Sequence, residues 1–155
     1  MSSFNNFKAT ILHNINSGID HSYKGSIDLP IMELVMFINN LHNYYTTSSC
    51  SGRISVFENG IEAKQIKWLL VKHRLILKIE LIDAIETNDV NSNLIVLKCE
   101  PFILHINCRD VDSAKELHEI ATVCGFRESG IKIGIIIQLY IYVFSTIYPW
   151  IVCYI

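Results

Sequence analysis

Apolar residues recur at intervals of three and four along two early stretches of the chain, which is the spacing of one helix face. In residues 4–15 this period ends before Gly18, so the pattern predicts a first helix that the glycine terminates. Residues 31–41 repeat the period after Asp28 and Pro30, which favour a helix start. The chain therefore begins with two predicted amphipathic helices.

The rest of the chain alternates strand-like apolar runs with polar turns. Gly52 predicts a tight turn that leads into a short strand at residues 54–57. Beyond it the pattern predicts a buried strand at 68–73, a third helix at 81–88 and two strands tightly joined at Pro101. A fourth helix is predicted at 111–124, with Asp110 or Asp112 as its N-cap and Gly125 at its C-terminal end. This order predicts an α+β fold with a two-layer mixed sheet and helices, of a non-Rossmann type because the glycine fingerprint is missing.

Charge and cysteine content narrow the function classes. The formal net charge of −2 gives no general attraction to polyanions, so a nucleic acid would need a local basic patch. The five cysteines form no C-x-x-C pair and follow no secretory signal peptide, which indicates a reducing cytosol. Residues 133–155 contain no charged residue and no histidine, so this tail differs from the rest of the chain.

The segment from Ser48 to Arg53 is the first candidate for chemistry. Its hydroxyls, the amide of Gly52 and the guanidinium of Arg53 suit a carboxylate or phosphate. A serine-rich turn that satisfies its own backbone is the alternative. Cys50 lies inside the segment, where either a nucleophile or a small buried thiol fits the pattern.

Two histidines follow or lie within predicted strands. His73 and His105 are candidates for a general base near neutral pH, and a hydrogen-bonded core histidine is the alternative for His105. Neither histidine forms a diagnostic zinc spacing with the cysteines, so we expect no metal. Glu100 and Arg109 bracket the strands around Pro101 and are expected to meet as an ion pair.

Five sequence blocks, read in order, identify a resemblance that the single motifs do not. They are KGSID (24–28), TTSSCSGR (46–53), KWLLVKH (67–73), CEPFILHINCRD (99–110) and GFRESGI (125–131). In this order they resemble the tRNA wybutosine-synthesizing protein 3 family over residues 22–134. The resemblance implies S-adenosylmethionine-dependent N-methylation of 4-demethylwyosine next to the anticodon of phenylalanine tRNA, in the cytoplasm and without a metal.

The matching blocks also imply roles for particular residues. Catalytic roles are implied for His73 and His105, facing the reacting base. Cofactor contacts are implied for Ser49, Ser51, Gly52 and Arg53, and substrate contacts for Lys24, Arg109, Arg127 and Ser129. Phosphates of the tRNA are expected along a basic strip built from Lys24, Arg53, Lys72, His73, Arg74 and Arg127.

The resemblance stops after Gly134, so we expect a methyltransferase domain at residues 1–134, incomplete at its C-terminal side, and an atypical hydrophobic tail at 135–155. The tail is interpreted as a substituted or abnormal ending, as two buried strands divided at Tyr148 and Pro149, or as a membrane anchor, the last being disfavoured by its β-branched residues. The corresponding alternatives to an active enzyme are a catalytically silent tRNA-binding remnant and a membrane-tethered protein.

Overall fold

The computed structural model describes residues 3–20, 22, 24–59, 66–90, 94–134, 137–142 and 150–154. The chain forms two compact units, the first comprising Met1–Ser51 and Phe102–Phe144 and the second Gly52–Pro101 and Ser145–Ile155. In chain order the elements are α1 (Ser3–Asn16), α2 (Met32–Asn40), β1 (Tyr44–Cys50), β2 (Arg53–Asn59), β3 (Ile66–Lys72), α3 (Lys78–Glu86), β4 (Leu94–Glu100), β5 (Ile103–Cys108), α4 (Val111–Val123), β6 (Gly130–Lys132), β7 (Ile137–Tyr142) and β8 (Trp150–Tyr154).

The first unit packs helices on a four-stranded sheet of order β1-β5-β7-β6. Alternate residues of β1 and β5 point to one face, where they meet α2 and α4. The buried core there consists of Ile31, Val35, Ile38, Tyr44, Leu104, Ile106, Cys108, Ala114 and Ala121. Burial of each large aliphatic side chain in this set contributes roughly 1.5 to 3 kcal/mol, so this face holds the unit together.

Helix α4 shows why the sequence signals for its ends were reliable. The carboxylate of Asp110 accepts a hydrogen bond from the Ser113 amide at 2.8 Å, which satisfies one of the free amides of the first turn. Gly125 follows the helix with φ of 97°, a left-handed conformation that glycine adopts without strain.

The second unit has a four-stranded sheet of order β3-β2-β4-β8, with α3 packed on β3. Val56, Phe57, Ile95 and Val96 are buried in its two central strands. The Lys67 ammonium donates to the backbone carbonyl of Asp89 at 2.9 Å, just beyond α3. The positive charge of Lys67 at this position complements the negative C-terminal end of the α3 dipole.

The predicted helices and the α+β class are confirmed, and three details of the strands differ from prediction. Within the described residues every strand pair is antiparallel and the strands form two sheets, where one mixed sheet was predicted. The two strands predicted around Pro101 form with a short connection, but β4 and β5 belong to different sheets and do not pair with each other. The strand at 68–73 exists, but it lies at a sheet edge and Trp68 is half exposed. An edge strand has one neighbour, which leaves such side chains partly open to solvent.

The uncharged tail contributes a strand to each sheet. Strand β7 pairs with β5 and β6, and β8 pairs with β4. Of the alternatives for the tail, the structure shows two strands, whose burial stays a prediction, and the predicted division at Tyr148 and Pro149 lies outside the described residues. None of the described helices combines the length and the apolar character needed to cross a membrane. Whether the family domain stops at residue 134 stays a prediction.

Candidate functional site

Asp28 joins two of the sequence blocks in the first unit. Its Oδ2 accepts hydrogen bonds from the Ser51 amide at 2.8 Å and from the Ser51 hydroxyl at 3.0 Å. Its Oδ1 accepts from the ammonium of Lys24, four residues earlier. Only 4 % of Asp28 is exposed, so these donors offset the cost of burying a carboxylate. The serine-rich turn is therefore held by a residue that the sequence indicated only as a helix start.

His105 lies on β5 opposite Ser48 of β1, and the ring Nδ1 is 2.8 Å from the Ser48 hydroxyl oxygen. Partial burial lowers the pKa of His105 below its ordinary value, which favours the neutral ring near neutral pH. At this distance Nδ1 either donates a proton to the Ser48 hydroxyl oxygen or accepts the hydroxyl proton, depending on the tautomer of the ring. The role of His105 as a general base stays a prediction.

The guanidinium of Arg109, for which a substrate contact is predicted, has several partners within the protein. It donates to the side-chain oxygens of Asn5 at 2.9 Å and Asn43 at 3.2 Å, and to the His42 carbonyl at 3.1 Å. Its central carbon also lies 4.5 Å from the ring centre of Phe4. These contacts fasten α1 to the loop before β1, and a contact with substrate stays a prediction.

In the second unit, Arg53 and Glu100 face each other across β2 and β4, and the Arg53 Nε donates to the carboxylate. Lys98 donates to the same carboxylate at 3.0 Å. Hydrogen bonding from Arg53 is the main cause that lowers the pKa of Glu100. Glu100 is therefore paired with Arg53 and Lys98 of its own sheet, and the expected pairing of Glu100 with Arg109 does not form.

The remaining predicted site residues are divided between the units. Ser49 and Ser51 belong to the first unit, whereas Gly52 begins the second with φ of 95° and Arg53 opens β2. His73 directly follows β3 and is half-buried. The serine-rich block therefore spans the point where the chain leaves one unit and enters the other.

The turn after α4 holds the last two candidates. Arg127 is exposed. The Ser129 hydroxyl donates to the Phe126 carbonyl at 2.6 Å, and the Ser129 carbonyl lies 3.0 Å from Nε2 of His118. The hydroxyl of Ser129 thus stabilises this turn, and its contact with substrate stays a prediction.

A cavity of about 460 Å³ opens between α2 and α4, away from this chemistry. Its lining is mainly aliphatic and aromatic, with Phe37, Phe102 and Phe126 among its members, and it includes none of the predicted site residues. Its volume lies in the range of small-molecule pockets, and His42 and Glu116 are titratable residues of its lining. The contacts of His105 with Ser48 and of Asp28 with Ser51 lie elsewhere, on β1, on β5 and in the loop that carries Asp28.

Known proteins match this chain both by sequence and by structure. The family model "Methyltransferase TYW3" matches residues 6–147. The human "tRNA wybutosine-synthesizing protein 3 homolog" is 40 % identical over 136 residues, which cover 84 % of this chain and 50 % of that protein. A Pyrococcus abyssi relative, "tRNA(Phe) 7-((3-amino-3-carboxypropyl)-4-demethylwyosine(37)-N(4))-methyltransferase 2", is 39 % identical over 112 residues, 71 % of this chain and 53 % of its own.

Among solved structures, the PH1069 protein from Pyrococcus horikoshii superposes with a TM-score of 0.79 and 30 % identity. That alignment covers 97 % of this chain and 75 % of the other. The chain spans about half the length of the curated relatives that it matches.

Proposed function

Because the chain belongs to the TYW3 methyltransferase family, we propose that it transfers the methyl group of S-adenosylmethionine to the N4 nitrogen of 4-demethylwyosine in phenylalanine tRNA. The observation that carries the proposal is the family match over residues 6–147, which contains all five sequence blocks. The name of the Pyrococcus abyssi relative specifies N4 methylation of a 4-demethylwyosine derivative at position 37 of tRNA(Phe). We place the reaction in the cytoplasm, where cysteines outside disulfides, such as Cys50, Cys99, Cys108 and Cys124, would stay reduced.

The serine-rich segment fits the amino-acid end of S-adenosylmethionine, which carries a carboxylate and an ammonium group. We assign the carboxylate to the Ser49 hydroxyl, the Gly52 amide and the Arg53 guanidinium, which are neighbours in the chain and are hydrogen-bond donors. The Ser51 hydroxyl donates to Asp28 and keeps lone pairs that accept from an ammonium group. When bound, the cofactor supplies an electrophilic methyl group on a sulfonium sulfur.

The protein's own contribution is positioning and removal of one proton. Methyl transfer needs the accepting nitrogen in line with the methyl group, and that nitrogen must lose its proton. We assign proton acceptance to His105, held by Ser48, and base positioning to His73. Lys24, Arg109, Arg127 and Ser129 are proposed as contacts to the tRNA, since cations and hydroxyls bind phosphate oxygens.

The test is mass spectrometry of nucleosides after incubation of the chain with S-adenosylmethionine and tRNA. We expect a mass increase of one methyl group on tRNA that carries 4-demethylwyosine and none on tRNA that lacks this base. Equal methylation of both tRNAs would refute the proposed substrate. Binding of the modified tRNA without any methylation would instead favour the catalytically silent remnant.

A further inference from the structure

Strand β1 has one residue more than the part of β5 with which it pairs. Thr46 is paired with Ile106. The neighbouring residue of β5 is His105, and its partner is Ser48. Thr47 is therefore the extra residue of a β-bulge. Bulges bend a strand and re-aim its side chains, and they are frequent next to active sites.

The bulge decides which face of the sheet Ser48 occupies. Thr46 belongs to the face covered by helices, since its hydroxyl accepts a hydrogen bond from the Asn39 amide of α2 at 2.7 Å. Successive side chains of a regular strand point to opposite faces, so without an extra residue Ser48 would share that face. The bulge instead brings Ser48 to the face of His105, where the hydroxyl oxygen lies 2.8 Å from Nδ1. The contact between the two side chains thus depends on the bulge.

We infer that the bulge at Thr47 makes Ser48 a positioning residue for His105, whose Nδ1–H donates to the Ser48 hydroxyl oxygen and whose lone pair lies on Nε2. The inference rests on the proposed function, in which His105 takes a proton from the substrate. In the opposite tautomer the hydroxyl donates to Nδ1 and Nε2 carries the proton, so neither nitrogen can accept another. The hydrogen bond at one ring nitrogen sets which nitrogen is protonated, and Ser48 supplies that bond.

The tautomer is measured directly by ¹⁵N NMR of the ring nitrogens, without tRNA and at a pH where the ring is neutral. The signals of His105 are those that disappear in His105→Gln. We expect Nδ1 to carry the proton in the parent and Ser48→Ala to lose this preference, because the acceptor that selects the tautomer is removed. Ser48→Thr keeps a hydroxyl on a side chain suited to a strand and should restore the parent spectrum.

Single-turnover methylation of tRNA that carries 4-demethylwyosine gives the second measurement. Ser48→Ala should slow it about tenfold, because a base that is less well placed loses part of its rate advantage. Ser48→Thr should recover the parent rate. Thr47→Val is the matched control, since the Thr47 hydroxyl donates to the backbone carbonyl of His105 at 3.4 Å and not to the ring. It should keep the parent tautomer and change the rate by less than about twofold, because so long a hydrogen bond is weak.

Circular dichroism checks that each variant is folded. The positioning role is refuted if Nε2 carries the proton in the parent, if Ser48→Ala keeps the parent tautomer, or if the tautomer changes while the rate does not. In these cases the proposed function survives as long as the parent methylates the tRNA. If the parent methylates no tRNA, the proposed function is refuted, and the spectra still decide whether Ser48 selects the tautomer.

Discussion

The two units hold their charged residues in different ways. In the first unit, Asp28 is nearly buried and accepts from the Ser51 amide, the Ser51 hydroxyl and Lys24. In the second, Arg53 and Glu100 keep 38 % and 22 % of their side chains exposed, and Lys98 shares the carboxylate. A buried acceptor leaves its donors unsatisfied when it is removed, whereas water replaces an exposed partner. Removal of the shared acceptor should therefore destabilise the first unit more than removal of one ion-pair partner destabilises the second.

The largest expected effect is that of Asp28→Ala. The substitution removes the buried carboxylate and leaves the half-buried amide and hydroxyl of Ser51 without this acceptor and Lys24 without this ion-pair partner, which should lower the free energy of unfolding by about 3 kcal/mol. Urea denaturation of the purified chain measures this change. Asp112→Ala is the control, since 96 % of the Asp112 side chain is exposed, and it should change stability by less than about 0.5 kcal/mol. Equal effects of the two substitutions would remove the contrast between buried and exposed carboxylates.

His105→Gln is expected to have the next largest effect, on rate rather than on stability. Loss of a general base should slow methylation by about a hundredfold, the lower end of what such catalysis contributes. Because burial lowers the pKa of His105, the parent rate should fall with decreasing pH only below the ordinary histidine range of about 6.5. Single-turnover rates as a function of pH test both statements. If the parent rate instead falls to half its maximum at a pH above the ordinary histidine range, the titrating group is not His105.

Whether the sequence predicted a contact depends on how far apart its two residues are in the chain. Helix α4 was predicted with Asp110 or Asp112 as its N-cap and with Gly125 beyond its end, because both signals act within one turn, and the structure shows Asp110 as the N-cap. Strand β1 was missed, since its Thr- and Ser-rich segment becomes a strand only by pairing with β5. The two strands are far apart in the chain, and Thr47 and His105, for example, are separated by 58 residues.

The same distinction applies to the candidate site. The histidines and the serine-rich block were identified as candidates from the residues themselves, and the family resemblance implied their roles, but Asp28 was interpreted only as a helix start. Its role as an acceptor depends on Ser51, which is 23 residues later in the chain. The partner of Glu100 was assigned to Arg109, and the register of β2 against β4 was needed to identify Arg53. Strand pairing sets such contacts, and a single sequence does not specify the pairing.

A smaller effect is expected for the ion pair of the second unit. The folded-state pKa of Glu100 is depressed, so its contribution to stability is present above the unfolded-state pKa and is lost as the pH falls through the folded-state value. Arg53→Ala should cost less than about 1 kcal/mol in the free energy of unfolding near neutral pH, because both side chains are partly solvated. It should also reduce the loss of stability on acidification, as measured by thermal unfolding over a pH series. If Arg53→Ala lowered the free energy of unfolding as much as Asp28→Ala, the contrast between the buried cluster and the partly exposed ion pair would be contradicted.

The smallest effect is expected for Cys50→Ser. Cys50 ends β1 as a half-buried cysteine outside any disulfide, and three serines are near it in the sequence. Direct methyl transfer forms no covalent bond with the protein, so the thiol has no step to perform, and a hydroxyl of similar size should leave the rate within a few-fold of the parent. Cys50→Trp is the steric contrast and should abolish activity, because the indole cannot fit at a half-buried strand end. A fall of about ten-thousandfold in Cys50→Ser, with folding and both ligand affinities intact, would correspond to roughly 5.4 kcal/mol of transition-state stabilisation and would make the sulfur a catalytic group.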